Sequence, residues 1–158
     1  GARGSHLTMS LPQPPSDARD DRPRAINEAL RALYDARTSG DGDAYASYFA
    51  PDARVTIVGN PALNPGAGMR IGRESIARHL ESLHEINEYL GFEIQSVVQG
   101  GDKVVVRWTA EVRFLDNGRI GFYDVLDHIT IRDGLIVELM HFYDTGSMGI
   151  ARGRIRIA

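Results

Sequence analysis

The sequence predicts an α+β domain in which amphipathic helices come first and a run of antiparallel strands follows. Three observations predict it. Apolar residues recur at three- and four-residue steps in the N-terminal half. From Phe92 onward the apolar period falls to two, as in a half-buried strand. Pairs and triplets of Gly, Asp and Asn punctuate the strand-like runs. With 158 residues, 42% of them hydrophobic, the chain is long enough for one globular domain with a real core.

The elements follow in order. Gly1 to Thr8 (GARGSHLT) reads as a cleaved affinity-tag remnant, with Met9 as a start residue. Ser10 to Pro23, rich in Pro, Asp and Arg, reads as a disordered or loosely docked arm, which puts 1–23 outside the domain. From Arg24 to Ser39 the stripe Ile26, Ala29, Leu30, Leu33, Tyr34 predicts a helix stopped by Ser39-Gly40. Asp43 to Phe49 is a short second helix, begun by an Asp cap and ended before Pro51. Arg54 to Val58 is a strand, and Gly59 to Gly68, with two Pro and three Gly, is a loop at a pocket mouth. Arg73 to Ile86 is a third helix with Ile76, Leu80 and Leu83 on its buried side.

Strands fill the rest. Phe92 to Gln99 and Lys103 to Phe114 are separated by Gly100-Gly101-Asp102. On the second of these, Val104, Val106, Trp108, Ala110, Val112 and Phe114 share one face, opposite Arg107, Thr109, Glu111 and Arg113. Asp116-Asn117-Gly118 turns the chain into Phe122 to Asp144, two strands joined at Asp133-Gly134. The basic tail after Asp144 is compatible with an edge strand, a swapped arm or a mobile end, so the domain is set at 24–145 and the tail at 146–158.

Composition excludes several function classes. A net charge of −3 gives no basic footprint for nucleic acid or an anionic membrane. The absence of cysteine removes disulfides, thiol nucleophiles and Cys-ligated zinc, and fits a reducing cytoplasm. No apolar run reaches the roughly 20 residues that span a bilayer. His79 and His84 stand five apart, which does not put two imidazoles on one helix face, so no metal is expected. Gly66 to Gly72 (GAGMRIG) lacks the spacing and the βαβ setting of a nucleotide loop.

Two residues of the closing hairpin stand out. Asp127 and His141 lie among apolar side chains, where a carboxylate and an imidazole are costly unless paired. The same surroundings tune an acid or base to work near neutral pH. A two-residue Asp133-Gly134 turn pairs Arg132 with Leu135 and sets Asp127 opposite Met140. Contact between Asp127 and His141 therefore requires a bulge in the last strand. His128 points the other way, Asp144 reads as a backbone cap, and Tyr34 as helix packing.

The order of elements resembles the nuclear-transport-factor-2-like (NTF2-like) superfamily, in particular its SnoaL-like and ketosteroid-isomerase-like members. The resemblance lies in Gly40-Asp41 with Phe49-Ala50-Pro51-Asp52-Ala53, in Ile71-Gly72-Arg73-Glu74-Ser75-Ile76, and in Asp124-Val125-Leu126-Asp127, Asp133-Gly134-Leu135-Ile136 and Phe142-Tyr143-Asp144. It implies a curved, mostly antiparallel sheet wrapped around a cone-shaped pocket that three helices enclose. It puts Asp127 at the ketosteroid-isomerase position of an oxyanion-hole acid that an apolar site keeps protonated. The isomerase's general base corresponds to Ile57 and its oxyanion tyrosine to Leu33, so two of three parts are missing. The Arg and two Asp of limonene-epoxide-hydrolase-like enzymes correspond to Trp108, Ala110 and His141. SnoaL-like cyclases are similar in placing an acid–base pair on the two final strands, here Asp127 and His141.

These readings imply an acid–base enzyme, without metal or organic cofactor, acting on a small apolar carbonyl compound by isomerisation, aldol-type cyclisation or dehydration. Asp127 is expected as acid or oxyanion donor and His141 as base or proton shuttle. The expected pocket wall is Trp108, Val112, Phe114, Tyr123, Val125 and Tyr143, with Ile57 and the helix residues Leu33, Leu80 and Leu83. The alternatives are a non-catalytic ligand-binding or dimerisation module and, third, an epoxide hydrolase or cyclase that lacks a pocket arginine. Ile120, Phe122 and Leu126 on the outer sheet face imply a homodimer.

Overall fold

The structure is a computed structural model that describes residues 22–158; the tag-like stretch and nearly all of the expected arm lie outside the described residues. Helix α1 (Arg22–Ser39) begins two residues before the expected start, with Pro23 in a first turn that tolerates a missing N–H. Helix α2 (Gly42–Ala46) is shorter than expected and capped by Asp41, which accepts from the Ala44 N–H at 3.0 Å. Ser47 and Tyr48 form a turn instead, and Phe49 already belongs to strand β1 (Phe49–Ile57), which runs through Pro51. The β1 pairing is irregular between Phe49 and Arg54, so the Pro sits where the ladder is already broken. The glycine-rich loop ends in a short edge strand, β2 (Gly68–Ile71), that the two-Pro composition hides. Helix α3 (Arg73–His84) follows, then strands β3 (Asn87–Gly100), β4 (Lys103–Phe114), β5 (Ile120–Arg132) and β6 (Leu135–Tyr143).

The six strands form one sheet in the order β2-β1-β6-β5-β4-β3. All neighbours are antiparallel except β1 and β6, which run parallel. Alternation on β4 and β5 directs Val104, Val106, Trp108, Val112, Val125 and Ile129 inward, where Leu30 and Leu33 of α1 and Ile76 and Leu80 of α3 cover them. This is the α+β, cone-like architecture expected from the sequence.

Two local features position the site. Asp133 (φ 51°) and Gly134 (φ 75°) both take the left-handed conformation of a tight hairpin turn, and Arg132 pairs with Leu135 as expected. Between Ile131 and Thr130 the register then shifts: Ile131 faces Ile136, but Thr130 faces Glu138. The extra residue, Val137, is the bulge on the last strand, and from there on Asp127 lies directly across from His141. The C-terminal segment forms helix α4 (Thr145–Ala151), capped by Asp144, which accepts from the Ser147 N–H (3.0 Å) and hydroxyl (2.6 Å). Met148 of α4 joins the core, and the N–H groups of Arg154 and Ile155 return to the Gly149 carbonyl at 2.8 and 3.1 Å. The first half of the tail, to Ala151, is thus a docked helix rather than an edge strand, and 152–158 form no strand.

Candidate functional site

Asp127 is the hub of a buried cluster assembled from four elements. Only 1% of it is exposed, and three donors converge on its carboxylate. Trp108 Nε1–H on β4 donates to Oδ2 at 2.8 Å, and the Tyr34 hydroxyl on α1 donates to the same oxygen at 2.7 Å. His141 Nδ1 on β6 meets Oδ1 at 2.7 Å. Burial alone drives a carboxyl upward, but here the His141 imidazole, the Tyr34 hydrogen bond and the Arg37 guanidinium outweigh it and hold Asp127 below its ordinary value. Asp127 is therefore ionised, and Nδ1 carries the proton that it donates to Oδ1. The Tyr34 phenol is pushed well up by burial and then by the Asp127 charge, so it stays a donor. The other ring nitrogen of His141, Nε2, has no hydrogen-bond partner among the described residues.

His141 lines two interior cavities of about 20 Å³ each. The first lies between α3, β1 and β6, with Val55, Ile76, Leu80 and Leu139 among its walls. The second lies under α4, with Trp108, Tyr123, Tyr143, Asn64, Asn87 and Arg152 among its walls. Arg37, Ile57, Leu83 and His141 border both, so these four side chains form the partition. The loop from Gly59 to Ala67 closes down on Leu83: a Cβ on Gly66 would stand 2.7 Å from Leu83 Cδ2. Each cavity has room for about one water molecule, so a substrate must displace this partition or the loop over it.

Several expected wall residues do line these cavities: Ile57, Leu80, Leu83, Trp108, Tyr123, Val125 and Tyr143. Leu33, Val112 and Phe114 do not. They are core residues, at 2% exposure or less, whose faces are taken up by packing. Phe114 lies under the Arg152 guanidinium, 4.3 Å from its ring centre. Asp127 itself borders neither cavity, and both its oxygens are engaged, so the expected role of acid or protonated oxyanion donor has no route to a substrate. Trp108 holds the carboxylate as well as packing the core, and Tyr34 is a hydrogen-bond donor to the site rather than helix packing alone.

Sequence reasoning missed Arg37. It is 5% exposed, with a guanidinium that lies 5.8 Å from the Tyr89 and Trp108 ring centres and, among the described residues, makes one long hydrogen bond, to the Tyr89 hydroxyl at 3.5 Å. Burial works against its charge, but the surrounding tyrosines and Asp127 outweigh that and raise its pKa further. The pocket arginine missing from the sequence reading is thus supplied by α1. Arg152 was missed as well. It donates to Asn87 Oδ1 at 2.7 Å and to the Tyr123 hydroxyl at 3.1 Å. Among the described residues no cluster of His, Asp and Glu is arranged to hold a metal ion, and no helix is long and apolar enough to cross a membrane.

Fold and site geometry define the class. The chain belongs to the SnoaL-like domain family, whose model matches residues 30–139, and it has the fold of solved NTF2-like proteins. Solved structures share the fold at low identity. An NTF2-like protein from Burkholderia xenovorans is 23% identical, with 81% of this chain and 95% of that one covered and a TM-score of 0.68. A candidate isomerase from Bacillus subtilis is 15% identical, covering 85% and 97%, with a TM-score of 0.73. A candidate SnoaL-like polyketide cyclase from Mesorhizobium loti is 21% identical, covering 75% and 98%, with a TM-score of 0.60. No curated protein matches the chain.

Proposed function

We propose that this protein is an acid–base enzyme of the isomerase or polyketide-cyclase kind, acting on a small carbonyl compound, with His141 as the base. The observation that supports this best is the 2.7 Å contact of His141 Nδ1 with a fully hydrogen-bonded Asp127, which leaves Nε2 as the basic nitrogen. In this reading Asp127 is a positioning residue that fixes the tautomer and supports the imidazolium once it forms. Nε2 takes a proton from the carbon next to a carbonyl, and the charge that develops on the carbonyl oxygen falls to the Arg37 guanidinium. Returning the proton at another carbon gives isomerisation; attack of the enolate on a second carbonyl of the same molecule gives cyclisation. The candidate isomerase and cyclase among the structural relatives lend this chemistry support by analogy alone.

The test is solvent-deuterium exchange into a panel of enolisable ketones, followed by NMR. His141→Gln is expected to lower exchange at least about 100-fold, the range typical of a lost general base. Background exchange with the wild-type protein across the panel would sink the reading. The small size of both cavities favours one alternative, a non-catalytic binding module, which would bind ligand without exchange. Epoxide opening by Asp127 gains an arginine but loses access, because the carboxylate borders neither cavity. We also propose a homodimer through the outer sheet face, where Phe122 is 68% exposed beside Leu126 and Phe142, which face each other across β5 and β6.

A further inference from the structure

The two cavities beside His141 differ in their apolar content but share one property. Arg37 borders both, Arg70 the first and Arg152 the second, while no Asp or Glu borders either. None of these three arginines is paired with a carboxylate among the described residues. Among the described residues Arg70 reaches only the Met69 carbonyl, at 3.1 Å. Of the five N–H donors of Arg37, one is engaged among the described residues, and that bond is long. A buried guanidinium with unspent donors is expensive unless something with lone pairs and negative charge completes it.

We propose that the site takes an amphiphilic organic anion: a carbonyl compound whose carboxylate sits between Arg37 and Arg152 and whose apolar body fills the cavity of Val55, Ile76, Leu80 and Leu139. This rests on the functional reading above and deepens it by naming the substrate class as an oxo acid. The planar fork of a guanidinium matches the two oxygens of a carboxylate, which a lysine would not do. Asn87 and Tyr123 hold the Arg152 fork in place from β3 and β5. Once the partition of Ile57 and Leu83 is displaced the two cavities join, and His141, which borders both, then stands where the charged end of such a molecule meets its apolar end. Helix α4 acquires a purpose in this arrangement, because it delivers Arg152 to the site.

The test is calorimetric binding of 4-methylbenzoate, its neutral isostere 4-methylbenzamide and the cyclic enolate of dimedone, to wild type, Arg152→Gln and the outer-face control Asp124→Asn. Wild type is expected to prefer the benzoate over the amide by about tenfold or more, the worth of a charge-assisted hydrogen bond. Arg152→Gln should lose most of that preference, and Asp124→Asn should keep it. Tighter binding of dimedone than of the benzoate would overturn the carboxylate assignment in favour of an ionised enol. Equal binding of acid and amide, no binding of either, or an unchanged preference in Arg152→Gln would overturn the proposal. The acid–amide comparison on wild type stands even if a variant folds poorly. Carboxylate binding without proton exchange would remove the enzyme reading alone; exchange on neutral ketones without preference for acids would remove this proposal alone.

Discussion

Two aspartates three residues apart on β5 show what burial does to the same chemistry. Asp124 points outward and is gripped by Arg107, with Nε–Oδ1 at 3.1 Å and Nη2–Oδ2 at 2.9 Å, and both side chains are 53% exposed. Asp127 points inward, is 1% exposed, and meets His141, Tyr34 and Trp108. Both carboxyls are held below their ordinary value, but for different reasons. The Arg107 hydrogen bonds suffice for Asp124, whereas for Asp127 partners from two other elements, His141 on β6 and Tyr34 and Arg37 on α1, must first overcome desolvation. Outside, water replaces a lost partner at little cost. Inside, nothing does, so the cluster is worth having only when complete.

The largest expected effect follows from that asymmetry. Asp127→Ala leaves the Trp108 N–H, the Tyr34 hydroxyl and His141 without their common acceptor, and urea unfolding should register a loss of about 3–5 kcal/mol. Asp127→Asn keeps the shape but turns an amide N–H toward one donor, and about 1–3 kcal/mol is expected. If Asp127→Ala proves no more harmful than Asp124→Ala, the inner carboxylate is not the hub described here.

The same contrast explains what could be read from the sequence. Helix and strand patterning follows burial on one face, so β4 was predicted to its terminal residues and the order of elements followed, apart from β2 and α4. The Asp127–His141 contact hinged on one bulge, and the sequence could state the condition but not that Val137 meets it. Leu33, Val112 and Phe114 have the alternation of wall residues, yet packing closes over them, because period says which face is inward and not how far the cavity reaches. Arg37 left a signal that was available: it extends the Leu30, Leu33, Tyr34 stripe by one more step, and a cation on an apolar stripe demands an explanation. Arg152 left none, because the RGRIRIA ending has no period that predicts a docked helix before it.

A smaller effect separates the inner face by pH. His79, on the wall of the apolar cavity, has a buried Nε2 without a partner among the described residues, and burial, with Arg70 and Arg37 nearby, pushes its pKa down to about 4. The unfolded chain protonates it near the ordinary value of about 6.5. Between those values the unfolded state binds the extra proton, so stability present above about 6.5 is lost as pH falls toward 4. A loss on the order of 2 kcal/mol is expected over that window. His84, also pushed down by burial, adds to it in the same direction. Asp127, with its lowered value, gives way only under stronger acid, as pH drops through that value. His79→Gln should flatten the upper window and leave the lower one, as read by urea midpoints against pH.

The smallest effect is the most conditional. In a monomer, Asp124→Asn should leave the melting temperature unchanged, because the Arg107 pair is half in water. That expectation changes if a second copy covers the outer face as proposed, since the pair would then be desolvated along with Phe122 and Leu126. Mass action makes the two cases separable: a homodimer's melting temperature rises with protein concentration, and a monomer's does not. Phe122→Asp should abolish that concentration dependence by placing a charge in an apolar contact. Asp124→Asn should alter it only where the dimer is populated. A melting temperature independent of concentration in the wild-type chain would leave the outer aspartate a solvated ion pair, and the difference between the two faces of β5 would then be one of burial within a single chain.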